Sequence, residues 1–271
     1  MTRELTVGVA GLGTIGLEVA RRIGRGEVPG LRLAAVAVRD RAKAERLLSE
    51  TGLTAEIATV ETIADHADVI VECMPVEAFP ALAEAVLPKG KIFVLVTLGV
   101  LVERPDLVAM AEAGGSTIVV PTGALVGLDA VRAAAEGTIA SVRLITRKPP
   151  RGLKGAPFVE AEGIDLDALT EPKCIFRGTA REAVKGFPAN VNVAAALSLA
   201  GIGPDKTQVE IWADPAIDRN SQTVVLESDS ADISMCIENL PSVENPRTGR
   251  ITPLSIVAAL RRLVAPMTVG S

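Results

Sequence analysis

The chain has few of the side chains on which many enzymes depend. It contains one histidine, His66, no tyrosine, one tryptophan and five phenylalanines. A mechanism that needs two histidines, a multi-histidine metal site or a catalytic tyrosine is therefore excluded. So few aromatic rings also make a stacking platform for single-stranded nucleic acid a poor expectation. His66 lies between a predicted helix and a predicted strand, and we expect it to be a surface residue rather than a catalytic one.

Long apolar runs, cysteine pairs and blocks of like charge are also missing. The longest apolar run, Ile92–Val102, is too short to span a bilayer. Three widely spaced cysteines predict neither a disulfide framework nor a metal site. A net charge of −5 without charge blocks argues against nucleic acid or an anionic membrane as partner. Because the N-terminal residues also lack the pattern of a signal peptide, we expect a cytoplasmic protein.

The N-terminal segment has the pattern of a dinucleotide-binding turn. A β-prone run, Leu5–Ala10, is followed by the GxGxxG sequence GLGTIG and then by helical spacing over Leu17–Ile23. In this setting the glycines allow a tight turn, close approach of a pyrophosphate and close packing of helix on strand. The N–H groups at the start of the helix would bind the phosphates. The predicted cofactor-binding residues of this turn are Gly11, Gly13, Thr14, Ile15 and Gly16.

The end of the second predicted strand bears on the choice of cofactor. This strand covers Leu31–Val38 and is followed by Arg39, Asp40 and Arg41. An acidic side chain at the tip would bind the ribose hydroxyls of NAD, whereas an arginine favours the 2′-phosphate of NADP. Arg39 or Asp40 reaches the ribose depending on a register difference of one residue. A strand that ends at Val38 places Arg39 at the tip, which favours NADP over NAD.

The pattern up to Pro121 alternates strands with helices. Further strands are predicted at 67–73, 91–98 and 116–120, and helices at 76–86 and 106–113. This alternation predicts an α/β fold with a parallel, doubly wound Rossmann sheet. Ligands of such sheets bind beyond the carboxyl ends of the strands, which adds Cys73 and Thr97 to the predicted cofactor-binding residues.

The pattern changes after Pro121. Strands at 141–147, 209–212, 224–226 and 233–237, with helices at 128–135 and 192–199, predict an α+β domain with a mostly antiparallel sheet and one or two helices. A last helix at 253–264 is expected to return to the first domain. We therefore predict a dinucleotide-binding domain at 1–121, joined by 245–271, and a domain for substrate binding and oligomerisation at 122–244.

Several long stretches carry a resemblance to a known family. They are GLGTIG (11–16), VECMPVEA (71–78), PTGALVGLDA (121–130), TRKPP (146–150), FRGTAREAVKGFPANVNVAAALSLAG (176–201), ADPAIDRN (213–220) and ENLPSVENPRTG (238–249). With these stretches the chain resembles the L-aspartate dehydrogenase family along nearly its whole length.

The resemblance implies both a fold and a reaction. Members pair a Rossmann domain with an α+β domain and form homo-oligomers through the latter, and we expect a dimer here. They interconvert L-aspartate and iminosuccinate, or oxaloacetate and ammonia, with NAD or NADP. By this resemblance Ala124 and Asn192 contact the nicotinamide cofactor, and Asn190 lies near the substrate.

One residue departs from the family pattern. Where the family has its catalytic histidine, two residues after the asparagine that corresponds to Asn220, this chain has Gln222. A glutamine amide forms hydrogen bonds but does not titrate near neutral pH, so it cannot carry a proton. We therefore expect hydride transfer to or from an imine to proceed, and hydrolysis of the imine to be poor. Lys148, Asp214 and Asp218 are candidates to replace the histidine, and the predicted catalytic residues are Gln222, Asn220 and Lys148.

A dicarboxylate substrate also requires cationic side chains. Arginine binds carboxylates in a bidentate manner, and the candidates are Arg147, Arg219, Arg247 and Lys148. Three functions remain open at this point: an aspartate dehydrogenase, a reductase or dehydrogenase of the same fold for another amino, imino or 2-oxo acid, and a cofactor-binding protein without efficient catalysis.

Overall fold

The structure is a computed structural model that describes residues 4–188, 191–242, 245 and 248–270. Its internal contacts divide the chain into two compact units. The first unit extends to Pro121 and includes Thr252–Thr268. The second unit comprises Thr122–Ile251 and the residues from Val269 onward.

The helices and strands are as follows, in chain order. Those before Pro121 are β1 (Leu5–Ala10), α1 (Thr14–Gly24), β2 (Leu31–Ala37), α2 (Arg41–Thr51), β3 (Glu56–Ala58), α3 (Ile63–His66), β4 (Val69–Glu72), α4 (Phe79–Val86), β5 (Ile92–Val94), α5 (Gly99–Glu103), α6 (Asp106–Gly114) and β6 (Thr117–Val119). Those after it are α7 (Leu128–Ala135), β7 (Ile139–Lys148), α8 (Pro157–Ala161), β8 (Lys173–Thr179), α9 (Ala180–Gly186), α10 (Asn192–Ala200), β9 (Gln208–Ala213), β10 (Asn220–Ser228), β11 (Asp232–Asn239) and α11 (Ile251–Val264).

The first unit is built on a six-stranded parallel sheet. Its strand order is β3-β2-β1-β4-β5-β6, which is the order of a Rossmann fold, and the predicted doubly wound sheet is confirmed. Strands β1 to β3 are added towards one edge of the sheet and β4 to β6 towards the other, so the strand order reverses beside β1. The carboxyl ends of β1 and β4 therefore border the crevice where such folds bind ligands. Apolar residues on both faces of the central strands are fully buried, as at Val9 and Val71 on one face and Ile70 on the other.

The C-terminal helix α11 belongs to the core of this unit. Its residues Ile256, Val257 and Leu260 are buried in the same cluster as Ile23 of α1 and Leu31 of β2. In addition, Arg261 Nη2 donates a hydrogen bond to the carbonyl oxygen of Glu27, at 2.8 Å. The last helix therefore packs against the first two strands and helix of the Rossmann sheet.

Several predicted boundaries in the first unit were wrong. The strand predicted at 91–98 ends at Val94, because the N–H groups of Val96 and Thr97 donate to the carboxylate of Glu72 rather than to a neighbouring strand. The strand β2 ends at Ala37, one residue before the predicted end.

His66 is the last residue of the short helix α3 and pairs with Glu56, with 3.1 Å between Nδ1 and Oε2.

The second unit contains a five-stranded mixed sheet. Its order is β11-β10-β7-β9-β8, in which β7 and β9 are parallel and the other three pairs are antiparallel, so the predicted mostly antiparallel sheet is confirmed. The strand β8 was not predicted, and the unit has four α-helices in the described residues, α7 to α10, rather than one or two. No helix in the described part of the chain is long and apolar enough to cross a membrane.

Candidate active site

The turn between β1 and α1 shows why its glycines are required. Gly11 has a φ of +95°, which favours glycine, and a Cβ there would collide with the carbonyl oxygen of Cys73. A Cβ on Gly16 would collide with the carbonyl oxygen of Gly11. By contrast, apart from its chain neighbours, no described residue lies within 4 Å of a Cβ placed on Gly13. Gly11 and Gly16 thus allow close packing of the backbone, whereas Gly13 faces open space.

The start of α1 fits a pyrophosphate. Gly13 is the N-cap, and within the described residues no side chain caps the helix and no acidic residue lies in its first turn. The N–H groups at Thr14 and Ile15 therefore stay available, together with the partial positive charge of an eleven-residue helix. This open cradle beside Gly13 fits the diphosphate of a dinucleotide, and the predicted residues of the turn lie together as expected.

The residues after β2 have different surroundings. Asp40 is the N-cap of α2, and its Oδ1 accepts the backbone N–H of Lys43 at 3.0 Å. Arg41 pairs with Glu45, with 3.0 Å between Nε and Oε1. Arg39 is exposed, and its side chain makes no hydrogen bond or ion pair with any described residue. Arg39 is thus the cation in this segment without an intramolecular partner in the described chain.

A buried carboxylate that the sequence analysis did not identify joins the next two strand ends. Glu72, the last residue of β4, is fully buried. Its two oxygens accept the N–H groups of Met74 (2.8 Å), Val96 (3.1 Å) and Thr97 (2.8 Å) and the hydroxyl of Thr97 (2.9 Å). Burial raises the pKa of Glu72, while the four hydrogen bonds act in the opposite direction. An acidic residue at the end of an apolar strand was the signal that could have revealed it.

Cys73 and Thr97 follow these strand ends, as predicted. Burial raises the pKa of the Cys73 thiol well above its usual value, which keeps it protonated and unreactive. The Cβ atom of Cys73 faces Gly16 across the turn, and Thr97 is held by Glu72. Both residues therefore shape the crevice at the carboxyl edge of the sheet.

The second unit has a pocket where β7, β10 and β11 meet. The end of β7 pairs with the start of β10, and Asn220 pairs with Asn239 at the end of β11. The cavity has a volume of about 240 Å³. It is lined by Lys148, Pro149, Arg151, Gly152, Asp218, Arg219, Asn220, Asn239, Pro241, Asn245 and Gly249. Three of the predicted site residues, Lys148, Arg219 and Asn220, therefore lie together.

Cationic side chains predominate in this pocket. Lys148 is buried, and this burial lowers its pKa to about 8. Arg219 pairs with Asp218 at 3.0 Å and holds the pKa of that carboxyl below its usual value. Arg151 donates to the carbonyl oxygen of Asp218 at 2.8 Å. Arg151 was not predicted as a site residue, although the two prolines before it, Pro149 and Pro150, indicate a turn there.

Gln222 lies on the same strand as Asn220, two residues further along, but does not line this pocket. It is 3% exposed, and its Oε1 accepts the hydroxyl of Thr146 on β7 at 2.6 Å. Thr146 also precedes Lys148 by two residues, so the four side chains share one face of the sheet. The polar pair formed by Gln222 and Thr146 thus adjoins the pocket residues Lys148 and Asn220.

Arg147 lies on the opposite face of the sheet from Lys148. Its guanidinium lies 4.8 Å from the ring centroid of Trp212 and 3.4 Å from Oδ2 of Asp214. Because side chains alternate along a strand, only one of the neighbours Arg147 and Lys148 enters the pocket. The predicted substrate contact of Arg147 and the predicted proton-carrying role of Asp214 thus have no support in this pocket.

The remaining predicted residues are placed as follows. The carbonyl oxygen of Ala124 accepts the side-chain Nδ2 of Asn239 at 3.0 Å. Asn192 is the first residue of α10. Asn190 and Arg247 lie outside the described residues. No group of three His, Cys, Asp or Glu side chains in the described ranges is arranged to hold a metal ion.

Comparison with known proteins supports the assignment of both units. Residues 11–121 match the NAD-binding domain of homoserine dehydrogenase, and residues 129–263 match the C-terminal domain of aspartate dehydrogenase. L-aspartate dehydrogenase from Bradyrhizobium diazoefficiens is 52% identical over 99% of this chain and 95% of its own length. L-aspartate dehydrogenase 3 from Bordetella bronchiseptica is 50% identical over 99% of this chain and 98% of its own. The crystal structure of aspartate dehydrogenase from Thermotoga maritima has the same fold, with a TM-score of 0.71, 24% identity and coverage of 98% and 99% of the two chains. The chain belongs to the L-aspartate dehydrogenase family.

Proposed function

We propose that the protein is an NAD(P)-dependent L-aspartate dehydrogenase. It oxidises the CH–NH2 group of L-aspartate to iminosuccinate, which takes up water to give oxaloacetate and ammonia, or catalyses the reverse. Its relatives of 50% and 52% identity are L-aspartate dehydrogenases along the whole length of this chain. The glycine turn and the open start of α1 fit the dinucleotide that this reaction requires.

The charge of the pocket is the observation that carries the choice of substrate. Lys148, Arg151 and Arg219 bring three cationic side chains to a cavity that has a single carboxylate, that of Asp218, among its described lining residues. L-Aspartate, iminosuccinate and oxaloacetate each carry two carboxylates, and arginine forks bind such groups with charge-assisted hydrogen bonds. The pocket therefore fits a small dicarboxylate.

Each group has a distinct part in the reaction. The nicotinamide of the bound cofactor supplies hydride chemistry. Arg151 and Arg219 bind and orient the carboxylates, which places the reacting carbon. Lys148, with its pKa near 8, accepts a proton from the substrate ammonium or from the attacking water and returns it to the leaving ammonia. Overall, L-aspartate, NAD(P)+ and water give oxaloacetate, ammonium, NAD(P)H and one proton.

A second candidate function follows from Gln222. Its amide cannot carry a proton, so steps that add water to the imine depend on another group. If Lys148 does not supply that group, the protein is an NAD(P)H-dependent reductase of imines or 2-oxo acids with a different preferred substrate. Hydride transfer to a protonated imine requires that the substrate is oriented towards the cofactor and that the electric field of the site is complementary to the charge of the transition state. The charged residues of the pocket still supply both.

The test is the oxidation of NADH and NADPH with oxaloacetate and excess ammonia, at neutral and alkaline pH. Rapid turnover, together with reduction of NAD(P)+ by L-aspartate, would establish the proposed function. Tight cofactor binding without turnover of either substrate would overturn it. A parallel series with preformed cyclic imines and other 2-oxo acids would then identify the second candidate.

We also propose a preference for NADP. Asp40 is engaged as the N-cap of α2, while Arg39 has no partner in the described chain and is available to a 2′-phosphate. Arg39→Ala should weaken NADPH binding about tenfold and leave NADH binding unchanged. Arg41→Ala is the matched control, because Arg41 already binds Glu45 and the carbonyl oxygen of Ile57. Equal losses for NADH and NADPH in Arg39→Ala would contradict this preference.

The second unit supports a proposal that the protein is a homodimer. One face of its sheet is buried, as at Leu144 and Val224, whereas the opposite face carries Ile145, Trp212 and Val225 in half-exposed positions. A partner copy would cover these apolar side chains, and the resemblance to the family implies that homo-oligomers form through this domain. Light scattering of the purified protein distinguishes a dimer from a monomer.

A further inference from the structure

The buried side-chain amide of Asn239 in the second unit forms a hydrogen bond through its nitrogen, but its oxygen has no hydrogen-bond partner in the described residues. Asn239, the last residue of β11, is 5% exposed and lines the pocket beside Lys148 and Asn220. Its Nδ2 donates to the carbonyl oxygen of Ala124 at 3.0 Å. Its Oδ1 is the one buried side-chain polar atom in the described residues that has no hydrogen-bond partner.

The location of this oxygen connects it to the pocket. A Cβ placed on Gly249, another pocket residue, would lie 3.5 Å from Oδ1 of Asn239. Both residues line the pocket, so the buried oxygen lies within this part of its wall. A buried amide oxygen without a partner lowers stability, so its retention requires an explanation such as a catalytic role, a bound water or an ion.

The chemistry of the pocket identifies the missing donor. Arg151 and Arg219 only donate hydrogen bonds and suit the carboxylates of the substrate. The amino group of aspartate and the imine N–H of iminosuccinate are donors, so they require an acceptor. The carboxylate of Asp218 is exposed and already bound by Arg219. Three amide side chains line the pocket, those of Asn220, Asn239 and Asn245, and of these only Asn239 is buried. Its Oδ1 is the acceptor without a hydrogen-bond partner in the described residues.

We propose that Asn239 is a substrate-binding residue whose Oδ1 accepts the N–H of the substrate amine or imine. This inference rests on the proposed function and names the group that recognises the nitrogen. A neutral amide suits this task, because it binds the uncharged amine without stabilising the ammonium form as a carboxylate would. Loss of a hydride from carbon requires the nitrogen lone pair, which only the uncharged amine offers. The same side chain, through Nδ2, positions the turn that contains Ala124.

The experiment compares two dicarboxylates that differ in the amino group. The affinities of L-aspartate and of succinate, which has no nitrogen, are measured by calorimetry with reduced cofactor bound, so that L-aspartate cannot react. In the unmodified protein we expect L-aspartate to bind more tightly than succinate. Asn239→Ala should reduce the ratio of the two affinities about tenfold. Asn239→Asp retains an acceptor oxygen but loses the donor to Ala124, and should keep the ratio or increase it.

Each other outcome overturns the inference. If Asn239→Ala loses the same factor of affinity for L-aspartate and for succinate, Asn239 acts only through the fold. A weaker NAD(P)H affinity at an unchanged ratio would assign Oδ1 to the cofactor instead. If Asn239→Ala does not fold, a reduced ratio in Asn239→Asp contradicts the proposal by itself. If the unmodified protein does not bind L-aspartate, the proposed function is wrong as well. If it binds L-aspartate but Asn239→Ala leaves the ratio of the two affinities unchanged, only this inference is wrong.

Discussion

A buried carboxylate of the first unit and a buried amide of the second differ in how far their hydrogen bonds are satisfied. In the first unit, the carboxylate of Glu72 is fully buried and accepts four hydrogen bonds from the two loops that it joins. In the second unit, Lys148 is buried with a pKa lowered to about 8, and Asn239 has an oxygen without a partner. The hydrogen bonds of Glu72 are complete within the chain, whereas Oδ1 of Asn239 has no partner in the described residues.

This difference separates scaffold from chemistry. The dinucleotide needs a rigid cradle of backbone N–H groups, and a saturated carboxylate such as Glu72 fixes the strand ends that border it. The reaction instead needs groups whose protonation or hydrogen bonding changes during turnover. Such groups are kept at a cost in stability, as expected for an active site. The comparison predicts that substitutions in the first unit act mainly on stability and cofactor affinity, and those in the second mainly on rate.

Replacement of Lys148 should have the largest effect on rate. Lys148→Met removes the group that titrates near pH 8 and should reduce kcat by about 10²- to 10⁴-fold. Lys148→Arg is the control, because it retains the positive charge but does not titrate in this range. In the unmodified protein, oxidation of L-aspartate should increase with pH through about 8 as Lys148 loses its proton. An unchanged pH profile in Lys148→Met would refute this role.

The same replacement should stabilise the fold. The pKa of Lys148 is lower in the folded chain than in the unfolded one, so the unfolded chain binds the extra proton between about pH 8 and its ordinary value of 10.5. Stability therefore increases with pH across that window, and below it the folded protein bears the full penalty. At pH 7, Lys148→Met should raise the free energy of unfolding by up to about 3 kcal/mol. Chemical denaturation at pH 7 and pH 10 measures the free energy of unfolding. If this free energy changes equally with pH in the unmodified protein and in Lys148→Met, the prediction is wrong.

Gln222→His tests the departure from the family pattern. A histidine there could transfer protons next to the pocket, and turnover of oxaloacetate with ammonia should increase about tenfold. Gln222→Asn, which also lacks a titrating group, is the control and should give no increase. The comparison with a preformed imine, which needs no water step, should show no gain in either variant. If Gln222→His gives no gain with oxaloacetate and ammonia, Gln222 does not limit hydrolysis.

Much of the fold was predictable because local patterns and tertiary structure agree. The run Leu5–Ala10, the GxGxxG turn and the helix Leu128–Ala135 were predicted at or near their observed bounds. The strand β8 was missed because its sequence, KCIFRGT, alternates poorly and carries charge at an outer edge of the sheet. The extent of β5 was overestimated because the apolar run continues beyond Val94, where Glu72 takes over the backbone donors.

The candidate site was predictable only in part. Lys148, Asn220 and Arg219 were selected by residue type and resemblance, and they line one pocket. Arg147 was selected for the same reasons, but strand alternation directs it to the opposite face, towards Trp212. Asn239 was not selected because an asparagine at a strand end is common, and only its burial and its free oxygen distinguish it.

Glu72→Gln should have a moderate effect, mainly on stability. Four donors converge on two carboxylate oxygens, and an amide offers one oxygen, so at least one buried N–H loses its acceptor. We expect a loss of about 1–3 kcal/mol in the free energy of unfolding and weaker cofactor binding. Glu77→Gln, at an exposed position five residues later, should change neither. A loss of kcat without a loss of stability would break the distinction between the two units.

The smallest effect is expected at Gly13, and it isolates the cradle from the fold. Gly13 has φ −75° and ψ −169°, which alanine adopts, and apart from its chain neighbours no described residue lies within 4 Å of the added Cβ. Gly13→Ala should therefore leave the melting temperature unchanged, yet it should weaken NAD(P)H binding about fivefold by keeping the diphosphate from the helix start. Gly16→Ala is the contrasting variant, because its Cβ would collide with the carbonyl oxygen of Gly11 and should destabilise the fold. Fluorescence titration of NAD(P)H and thermal unfolding of both variants separate the two effects, and unchanged cofactor affinity in Gly13→Ala would place the diphosphate elsewhere.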